Sequence, residues 1–232
     1  DNKIQRRVIV HTIRNYIMAE SLEQAWELNQ KGRNNVIIGG NLWLKMGRRN
    51  IINAIDLSSL GLDKIEEDEG GFRIGCMATL HDIETHEGLN KEFQNLFKEA
   101  VRHIVGVQFR NCATIGGSIF PKLGFSDVLT AFLACDTQVI LYKKGEVPLR
   151  EFIYMPLDND ILTHIYVKKD GRKAAYESFR MTETDFPTLT CAMAMVDGRF
   201  ETVLGARPKH AEVVIDEELA DSLSKEDVAS YA

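Results

Sequence analysis

The chain has 232 residues, of which 44% are hydrophobic and 27% are charged, and its formal net charge is −6. This composition is typical of a globular protein, and the length suffices for one or two domains with a substantial core. The negative charge argues against a broad nucleic-acid surface. No apolar run approaches the roughly 20 residues that a membrane-spanning helix needs, so no membrane span is predicted.

The four cysteines lie far apart in the sequence and include no C-x-x-C pair. This spacing argues against a zinc site, an iron–sulfur cluster or a disulfide framework within the chain. It predicts instead buried thiols in a reducing cytoplasm, at Cys76, Cys112, Cys135 and Cys191.

The first part of the chain begins with a capping-box sequence, S-L-E-Q at residues 21–24, which predicts a helix over 21–31 that ends at Gly32. Residues 36–38 form a short apolar strand that runs directly into Gly39-Gly40. Further strands are predicted over residues 51–57 and 72–79, with an acidic, glycine-containing turn over 63–71 between them.

The middle of the chain alternates helices and strands without a regular βαβ repeat. Helices are predicted over residues 80–87 and 91–104, because the apolar residues of the second segment fall on one helix face. A glycine-containing loop follows at 114–118, then a helix over 128–134 and a strand over 137–142. The pattern is that of an α+β protein with mixed strands.

The pattern changes around residue 158. Successive strands are predicted over residues 161–167, 174–180 and 189–196, and Asp170-Gly171 and Asp197-Gly198 are hairpin signals between them. We expect these strands to form a small antiparallel sheet, closed by a helix over residues 217–231.

Two glycine pairs are the most informative local features. Gly39-Gly40 follows an apolar strand, and Gly116-Gly117 lies about 75 residues later, between Thr114 and Ser118. Glycine lets a ligand approach the backbone amides because no Cβ stands in the way. Two such loops suggest that two strand ends clamp one phosphate-bearing ligand, although tight turns would explain the glycines equally well.

Several familiar motifs are absent: the chain has no G-x-x-x-x-G-K-[ST], no G-x-G-x-x-G at a strand–helix junction and no G-x-S-x-G. His81 and His86 lie five residues apart and do not share a helix face well. Residues 81–86 are therefore predicted to be a solvated helix face and not a metal site.

The remaining candidate site is built mainly from backbone. The amides of residues 39–42 would gather into an anion-binding nest if a helical turn opens after them. Thr114 and Ser118 add hydroxyl donors, Asp127 offers a carboxylate for ligand hydroxyls or a helix start, and Ile104 and Trp43 offer apolar walls. This set fits a large nucleotide, and the lack of a nucleophile or an acid–base pair suits a redox cofactor.

These residues resemble the FAD-binding subunits of molybdenum hydroxylases, such as xanthine dehydrogenase and carbon monoxide dehydrogenase. The resemblance runs from about residue 21 to 194, and its most specific element is Q-F-R-N-C-A-T-I-G-G-S at 108–118, followed by Ser126-Asp127. The family's version is close to R-N-x-G-T-I-G-G-N, with an aspartate at the same nine-residue offset. The chain departs from the pattern at Asn41, where many members have threonine, and at Cys112-Ala113, which replace the common glycine.

The resemblance implies that residues 36–43 and 114–118 hold the FAD pyrophosphate and that Asp127 binds its ribityl or ribose hydroxyls. Ile104 would lie against the cofactor, and Leu162 and Phe179 would approach the flavin ring. No catalytic residue and no metal ligand is implied. The full cofactor-binding set is Val36, Ile37, Ile38, Gly39, Gly40, Asn41, Leu42, Trp43, Ile104, Thr114, Ile115, Gly116, Gly117, Ser118, Asp127, Leu162 and Phe179.

The implied fold class is α+β. An FAD-binding domain of the PCMH or vanillyl-alcohol-oxidase-like type would cover residues 1–157, with subdomains at about 1–57 and 58–157. A small, abbreviated antiparallel three-stranded sheet with helices would cover 158–232.

The implied function is that of a cytoplasmic electron-transfer subunit. It would pass electrons from the iron–sulfur centres of a [2Fe-2S] small subunit through FAD to NAD(P) or another acceptor, while a molybdenum-cofactor large subunit hydroxylates the substrate. Two alternatives stay open: a free-standing FAD-dependent reductase of the same fold, resembling the enolpyruvoyl-glucosamine reductases, and a non-catalytic flavin-binding module.

Overall fold

A computed structural model describes residues 12–208 and 210–216 of the chain. Three β-sheets and eight α-helices form within these residues. The helix predicted over residues 217–231 lies outside the described residues.

The first sheet is parallel and has the strand order β1-β3-β2. Its elements are β1 (Thr12–Met18), α1 (Leu22–Gln30), β2 (Asn35–Ile38) and β3 (Asn50–Asp56). The predicted helix start is confirmed, because the Ser21 hydroxyl accepts a hydrogen bond from the Gln24 amide. The reciprocal bond of a capping box does not form, since the Gln24 side chain accepts from the Glu20 amide and not from that of Ser21. The strand β2 leads into the first glycine loop, as predicted.

The second sheet has five antiparallel strands in the order β4-β5-β8-β6-β7. Its strands are β4 (Ile65–Glu67), β5 (Gly71–Gly75), β6 (Thr137–Leu141), β7 (Gly145–Pro148) and β8 (Leu162–Lys168). The helices between them are α2 (Leu80–Thr85), α3 (Glu87–Glu92), α4 (Leu96–Val101), α5 (Val107–Arg110), α6 (Ile115–Ile119), α7 (Asp127–Leu133) and α8 (Leu149–Phe152).

Two predicted elements of this region are shorter than expected. The strand predicted over 72–79 ends at Gly75, because Thr79 instead begins α2 in a reciprocal capping box with Asp82. The helix predicted over 91–104 is interrupted, because Gln94 and Asn95 adopt positive φ values of 47° and 65° and separate α3 from α4. The predicted acidic turn over 63–71 contains the short strand β4.

The third sheet is antiparallel and has the order β12-β11-β10-β9. Its strands are β9 (Lys173–Arg180), β10 (Pro187–Val196), β11 (Arg199–Gly205) and β12 (Glu212–Asp216). The hairpin signal at Asp197-Gly198 is confirmed: both residues have positive φ, 50° and 74°, and they join β10 to β11.

The strand predicted over residues 161–167 forms as β8, but its predicted place in the C-terminal sheet is wrong. Ile165 pairs with Ile74 of β5 on one side and with Val139 of β6 on the other. Local alternation marks a strand but does not select its partners, and those partners lie far away in the sequence. The domain bounds themselves stay a prediction.

One large hydrophobic core runs through the described residues, and a small separate cluster of Ile38, Ile51 and Ala54 lies beside it. Four phenylalanines, Phe72, Phe93, Phe97 and Phe132, are fully buried at its centre, with Phe97 and Phe132 ring centroids 4.4 Å apart. The core continues into the third sheet through Ala192 and other buried residues of β9 and β10. The C-terminal sheet is therefore packed onto the same core as the elements that form the site.

Candidate functional site

A cavity of about 690 Å³ lies where the first sheet, the second glycine loop and the β9–β10 connection meet. This volume is within the range of pockets that bind small molecules and cofactors. Its walls include residues 35–44, 113–114, 116–118, 157–162 and 184–187, together with Ile104, Asp127 and Arg180.

The first glycine loop carries a row of unused amides. Among the residues that the structure describes, the N–H groups of Gly39, Gly40, Asn41 and Leu42 donate no hydrogen bond to the protein. Asn41 has a φ of 55°, in the left-handed region, and the short 3₁₀ turn Leu44–Met46 follows. Successive amides before a helical turn form an anion-binding concavity, as the sequence suggested.

The second glycine loop differs, because its amides are engaged within the protein. The Ile115 amide donates to the Ala78 carbonyl and the Gly116 amide to the Cys76 carbonyl, each over 2.8 Å. The Gly117 amide donates to the Thr114 hydroxyl over 3.2 Å, which caps α6. The amides that were predicted to bind a phosphate therefore already donate to protein oxygens. This loop forms part of the cavity wall and offers no free amide from these three residues.

The two glycine loops are in direct contact with each other. A Cβ on Gly40 would lie 1.6 Å from the Cys112 carbonyl oxygen, and one on Gly39 would lie 2.3 Å from the Thr114 hydroxyl oxygen. Both distances are far below van der Waals contact, so only glycine lets the loops approach this closely. Gly117 is less restricted, since its Cβ would meet only the Thr114 hydroxyl, at 3.1 Å.

An ion pair holds the segment before the second loop. Arg110, at the end of α5, donates to both carboxylate oxygens of Glu84 on α2, over 2.7 and 3.1 Å. Desolvation raises the pKa of the Glu84 carboxyl, but the hydrogen bonds from Arg110 and His81 outweigh it and leave the pKa lowered. Residues 81–86 were predicted to be a solvated face, and Glu84 departs from this because its side chain is only 15% exposed.

Asp127 lies at the start of α7 and is buried. Its Oδ1 accepts a hydrogen bond from the Tyr176 hydroxyl over 2.5 Å and another from the Arg180 guanidinium. Burial raises the pKa of the Asp127 carboxyl, because desolvation exceeds the lowering by Tyr176 and Arg180. Asp127 thus lines the cavity and also joins α7 to β9.

Three aromatic rings pack together along the cavity wall: Trp43, Phe125 and Phe186. The Trp43 centroid lies 5.4 Å from that of Phe125 and 5.6 Å from that of Phe186, and the two phenylalanine centroids are 5.0 Å apart. Trp43 is nonetheless 45% exposed. Such a partly exposed cluster suits contact with a planar ring system.

Buried polar atoms without a partner concentrate at this cavity. Within the described part of the chain, three buried side-chain atoms have no hydrogen-bond partner: Asn41 Oδ1, Arg180 Nε and His164 Nδ1. Asn41 and Arg180 both line the cavity. Because folded proteins rarely leave buried polar groups unpaired, these two residues indicate a ligand with both donors and acceptors.

A family model described as "FAD binding domain in molybdopterin dehydrogenase" matches residues 10–167. The chain belongs to this family. Its cofactor is therefore FAD, and it is an oxidoreductase subunit of the molybdenum hydroxylase type, which confirms the resemblance noted in the sequence.

Curated proteins that are similar to this chain include an uncharacterized protein and a dehydrogenase subunit. The uncharacterized protein YgfM of Escherichia coli K12 is 27% identical over 188 residues, which are 80% of this chain and 71% of YgfM. The glyceraldehyde dehydrogenase medium chain of Sulfolobus acidocaldarius is 27% identical over 195 residues, 78% of this chain and 69% of that one.

A solved structure confirms the fold class. Carbon monoxide dehydrogenase from Hydrogenophaga pseudoflava matches with a TM-score of 0.81 at 24% identity, over 94% of this chain and 84% of that chain. None of the helices in residues 12–208 and 210–216 is long and apolar enough to cross a membrane.

The cavity fits FAD on this structure's own evidence. Free amides in the first loop suit phosphate oxygens, unpartnered polar atoms suit the cofactor's hydroxyls and ring heteroatoms, and the aromatic cluster suits its rings. Fifteen residues of the set predicted from the sequence line the cavity: Val36, Ile37, Ile38, Gly39, Gly40, Asn41, Leu42, Trp43, Ile104, Thr114, Gly116, Gly117, Ser118, Asp127 and Leu162.

Two predicted residues do not line the cavity. Ile115 is fully buried beneath the second loop, and Phe179 is 61% exposed. Side chains of a strand alternate between its faces, so Phe179 points away from the face that carries Tyr176 and Arg180. Alternation along β9 groups Arg180 with Tyr176, but it does not say which of the two faces lines the cavity. No local signal marks Phe125 or Phe186, which reach the site through loops.

Proposed function

We propose that this chain is the electron-transfer subunit of a molybdenum-cofactor hydroxylase or dehydrogenase in the cytoplasm. A [2Fe-2S] small subunit would supply electrons, FAD would pass them to NAD(P) or another acceptor, and a molybdenum-cofactor large subunit would oxidise the substrate. The supporting observation is that one cavity brings together three features. These are the free amides of the first loop, two buried polar atoms without a partner, and a cluster of aromatic rings.

In this proposal, different residues of the cavity wall bind different parts of FAD. The amides of residues 39–42 bind the pyrophosphate, and the contact between the two glycine loops fixes their direction. Asp127 binds cofactor hydroxyls, while Ile104 and Leu162 exclude water on the apolar side. The protein thus positions the cofactor, and the redox chemistry belongs to FAD itself.

The proposal is tested by purifying the full chain and by co-expressing it with its neighbouring genes. We expect bound flavin that is released as FAD on denaturation, with about one FAD per chain. We also expect a stable complex with a molybdenum-containing chain and a two-iron chain. A chain that binds FAD but oxidises or reduces small molecules alone, with no such partners, would contradict the electron-transfer role and favour the free-standing reductase.

Tryptophan fluorescence gives an independent measurement of the site. Trp43 lines the cavity, whereas the other tryptophan, Trp26, does not. FAD added to the apoprotein should quench the emission, and Trp43→Phe should remove most of that quenching. Trp26 lies on α1, three residues from Asn29, which lines the cavity, so it should account for the quenching that remains. A larger loss of quenching in Trp26→Phe than in Trp43→Phe would contradict the place of Trp43 in the site.

A further inference from the structure

A second cavity, of about 510 Å³, lies among four short helices and shares no lining residue with the first. Helices α2, α3 and α4 supply most of its wall, and α5 adds Val107 and Arg110. Phe109, between these two residues on α5, lines the first cavity, so α5 stands between the two cavities. Ten of the eleven residues that line the second cavity are polar or charged, so it suits a polar ligand.

Asn90 holds the helices around this cavity in place. Its side chain is buried, and Nδ2 donates to the carbonyls of Ile83 and His86 over 2.9 and 3.0 Å. Its Oδ1 accepts a hydrogen bond from the Lys98 amide over 3.0 Å. One side chain therefore joins α2, α3 and α4, and the wall of the cavity is formed before any ligand binds.

Positive charges outnumber negative ones in the second cavity, although the whole chain has a net charge of −6. Its lining includes three fixed cations, Lys91, Lys98 and Arg110, and two carboxylates, Glu84 and Glu87. Arg110 and Glu84 pair with each other over 2.7 Å, whereas neither lysine forms an ion pair within residues 12–208 and 210–216. Those same residues contain no group of three His, Cys, Asp or Glu side chains suited to a metal ion. An anion is therefore the favoured ligand.

Unused hydrogen-bond donors in the lining support an anion as well. The Arg110 side chain is 10% exposed, and its Nη1 and Nη2 carry two N–H groups each. In the described part of the chain, each of these nitrogens donates a single hydrogen bond, to the Ile104 carbonyl and to Glu84. His86 Nδ1 accepts from the Leu89 amide over 3.0 Å, so the proton of the neutral ring lies on Nε2, which is a further donor. Because donors without acceptors are costly in a poorly solvated site, this lining suits a ligand rich in acceptor oxygens.

We propose that the second cavity binds an anion that carries a phosphoryl group, such as a phosphate ester or a diphosphate. A phosphoryl group offers three strong acceptor oxygens, one more than a carboxylate. Lys91, Lys98 and Arg110 belong to three different helices, α3, α4 and α5, so the cations surround the cavity and do not form one row. Arginine and lysine are the side chains that bind phosphates in proteins. The site does not depend on the proposed function, because none of its residues lines the first cavity.

The test titrates the full-length protein with pyrophosphate by calorimetry, in the presence of saturating FAD, which keeps the first cavity occupied. We expect the wild type to bind with a dissociation constant below about 1 mM. The double variant Lys91→Gln/Lys98→Gln should bind about tenfold more weakly, and both positions are exposed, so the fold is retained. The matched control is Lys64→Gln/Lys173→Gln, which removes two exposed lysines that line neither cavity and should match the wild type.

Two further titrations examine the charge and the chemistry of the ligand. Glu87 is exposed at the cavity and repels an anion, so Glu87→Gln should tighten pyrophosphate binding about threefold. Succinate carries two carboxylates and no phosphoryl group, and it should bind the wild type about tenfold more weakly than pyrophosphate does.

Absence of binding to the wild type would overturn the proposal, and so would equal weakening in the two double variants. Succinate that binds as tightly as pyrophosphate would overturn the phosphoryl assignment. Pyrophosphate that FAD displaces would also contradict the proposal, because the anion would then lie in the first cavity. The lysine variants allow the same comparison in protein without FAD, so a failure to bind FAD bears on the proposed function and not on this site.

Discussion

The contact between the two glycine loops can be tested by adding a single methyl group. In Gly40→Ala the new Cβ would lie 1.6 Å from the Cys112 carbonyl oxygen and 2.4 Å from its carbonyl carbon. Both are backbone atoms, so no side-chain rotation relieves the clash. The loops must separate by about 2 Å to restore van der Waals contact. Gly40 does not have a positive φ, so the effect is steric and not conformational.

The expected magnitude follows from that separation. Overpacking of this kind costs about 1–3 kcal/mol of unfolding free energy. If the shift misaligns two amide–phosphate hydrogen bonds, each worth about 1.5 kcal/mol, the FAD dissociation constant rises about 100-fold. Gly106→Ala is the matched control, because its Cβ would meet only the Gln108 side chain, at 3.5 Å.

Urea denaturation of the apoprotein and titration with FAD measure the two effects separately. We expect Gly40→Ala to be less stable and to bind FAD weakly, while Gly106→Ala stays close to the wild type in both measurements. If the two variants behave alike, the argument from loop contact is wrong. If Gly40→Ala loses stability but keeps its affinity, the first loop is a structural turn and not a phosphate site.

Three further predictions concern other parts of the structure. Gly117→Val should lose FAD, measured by flavin absorbance, because the new side chain would extend into the cavity that Gly117 lines. The melting temperature should change little, because the Thr114 hydroxyl is the contact that a Cβ at this position would meet outside its own helix backbone. Retained flavin would contradict this prediction. Glu84→Gln should cost about 3 kcal/mol of stability at neutral pH. Because the pKa of Glu84 is lowered by folding, this deficit should shrink below about pH 4 in denaturation curves, and a constant deficit would contradict the ion pair. The exposed thiol of Cys112 should react with a thiol reagent in the native protein, whereas burial raises the pKa values of Cys76 and Cys135 to about 12, so these should react only after unfolding.

Much of the local structure could be predicted from the sequence, because it depends on nearby residues. The Ser21 cap, the strand before Gly39 and the Asp197-Gly198 turn all form as expected. Each of these signals acts over a few residues, where hydrogen-bond and φ preferences are decisive.

The remaining features depend on partners that are distant in the sequence. The sequence of a loop does not show whether its amides are free. The Gly116 amide, for example, donates to the carbonyl of Cys76, 40 residues earlier in the chain. The place of β8 likewise depends on β5 and β6. Phe179 is exposed and Arg180 is buried because neighbouring residues of β9 point to opposite faces of the sheet. The alternation in the sequence does not say which of these two faces is the buried one.

At Cys112 the backbone carbonyl and the side-chain thiol have different surroundings. Its carbonyl oxygen meets Gly40, while its thiol is exposed, so the burial predicted from the sequence is wrong for this cysteine. A fluorophore or spin label attached to that thiol would therefore report on the local environment of the loop contact without entering it. The chain thus carries a natural attachment point for a probe beside the two loops that line its cofactor cavity.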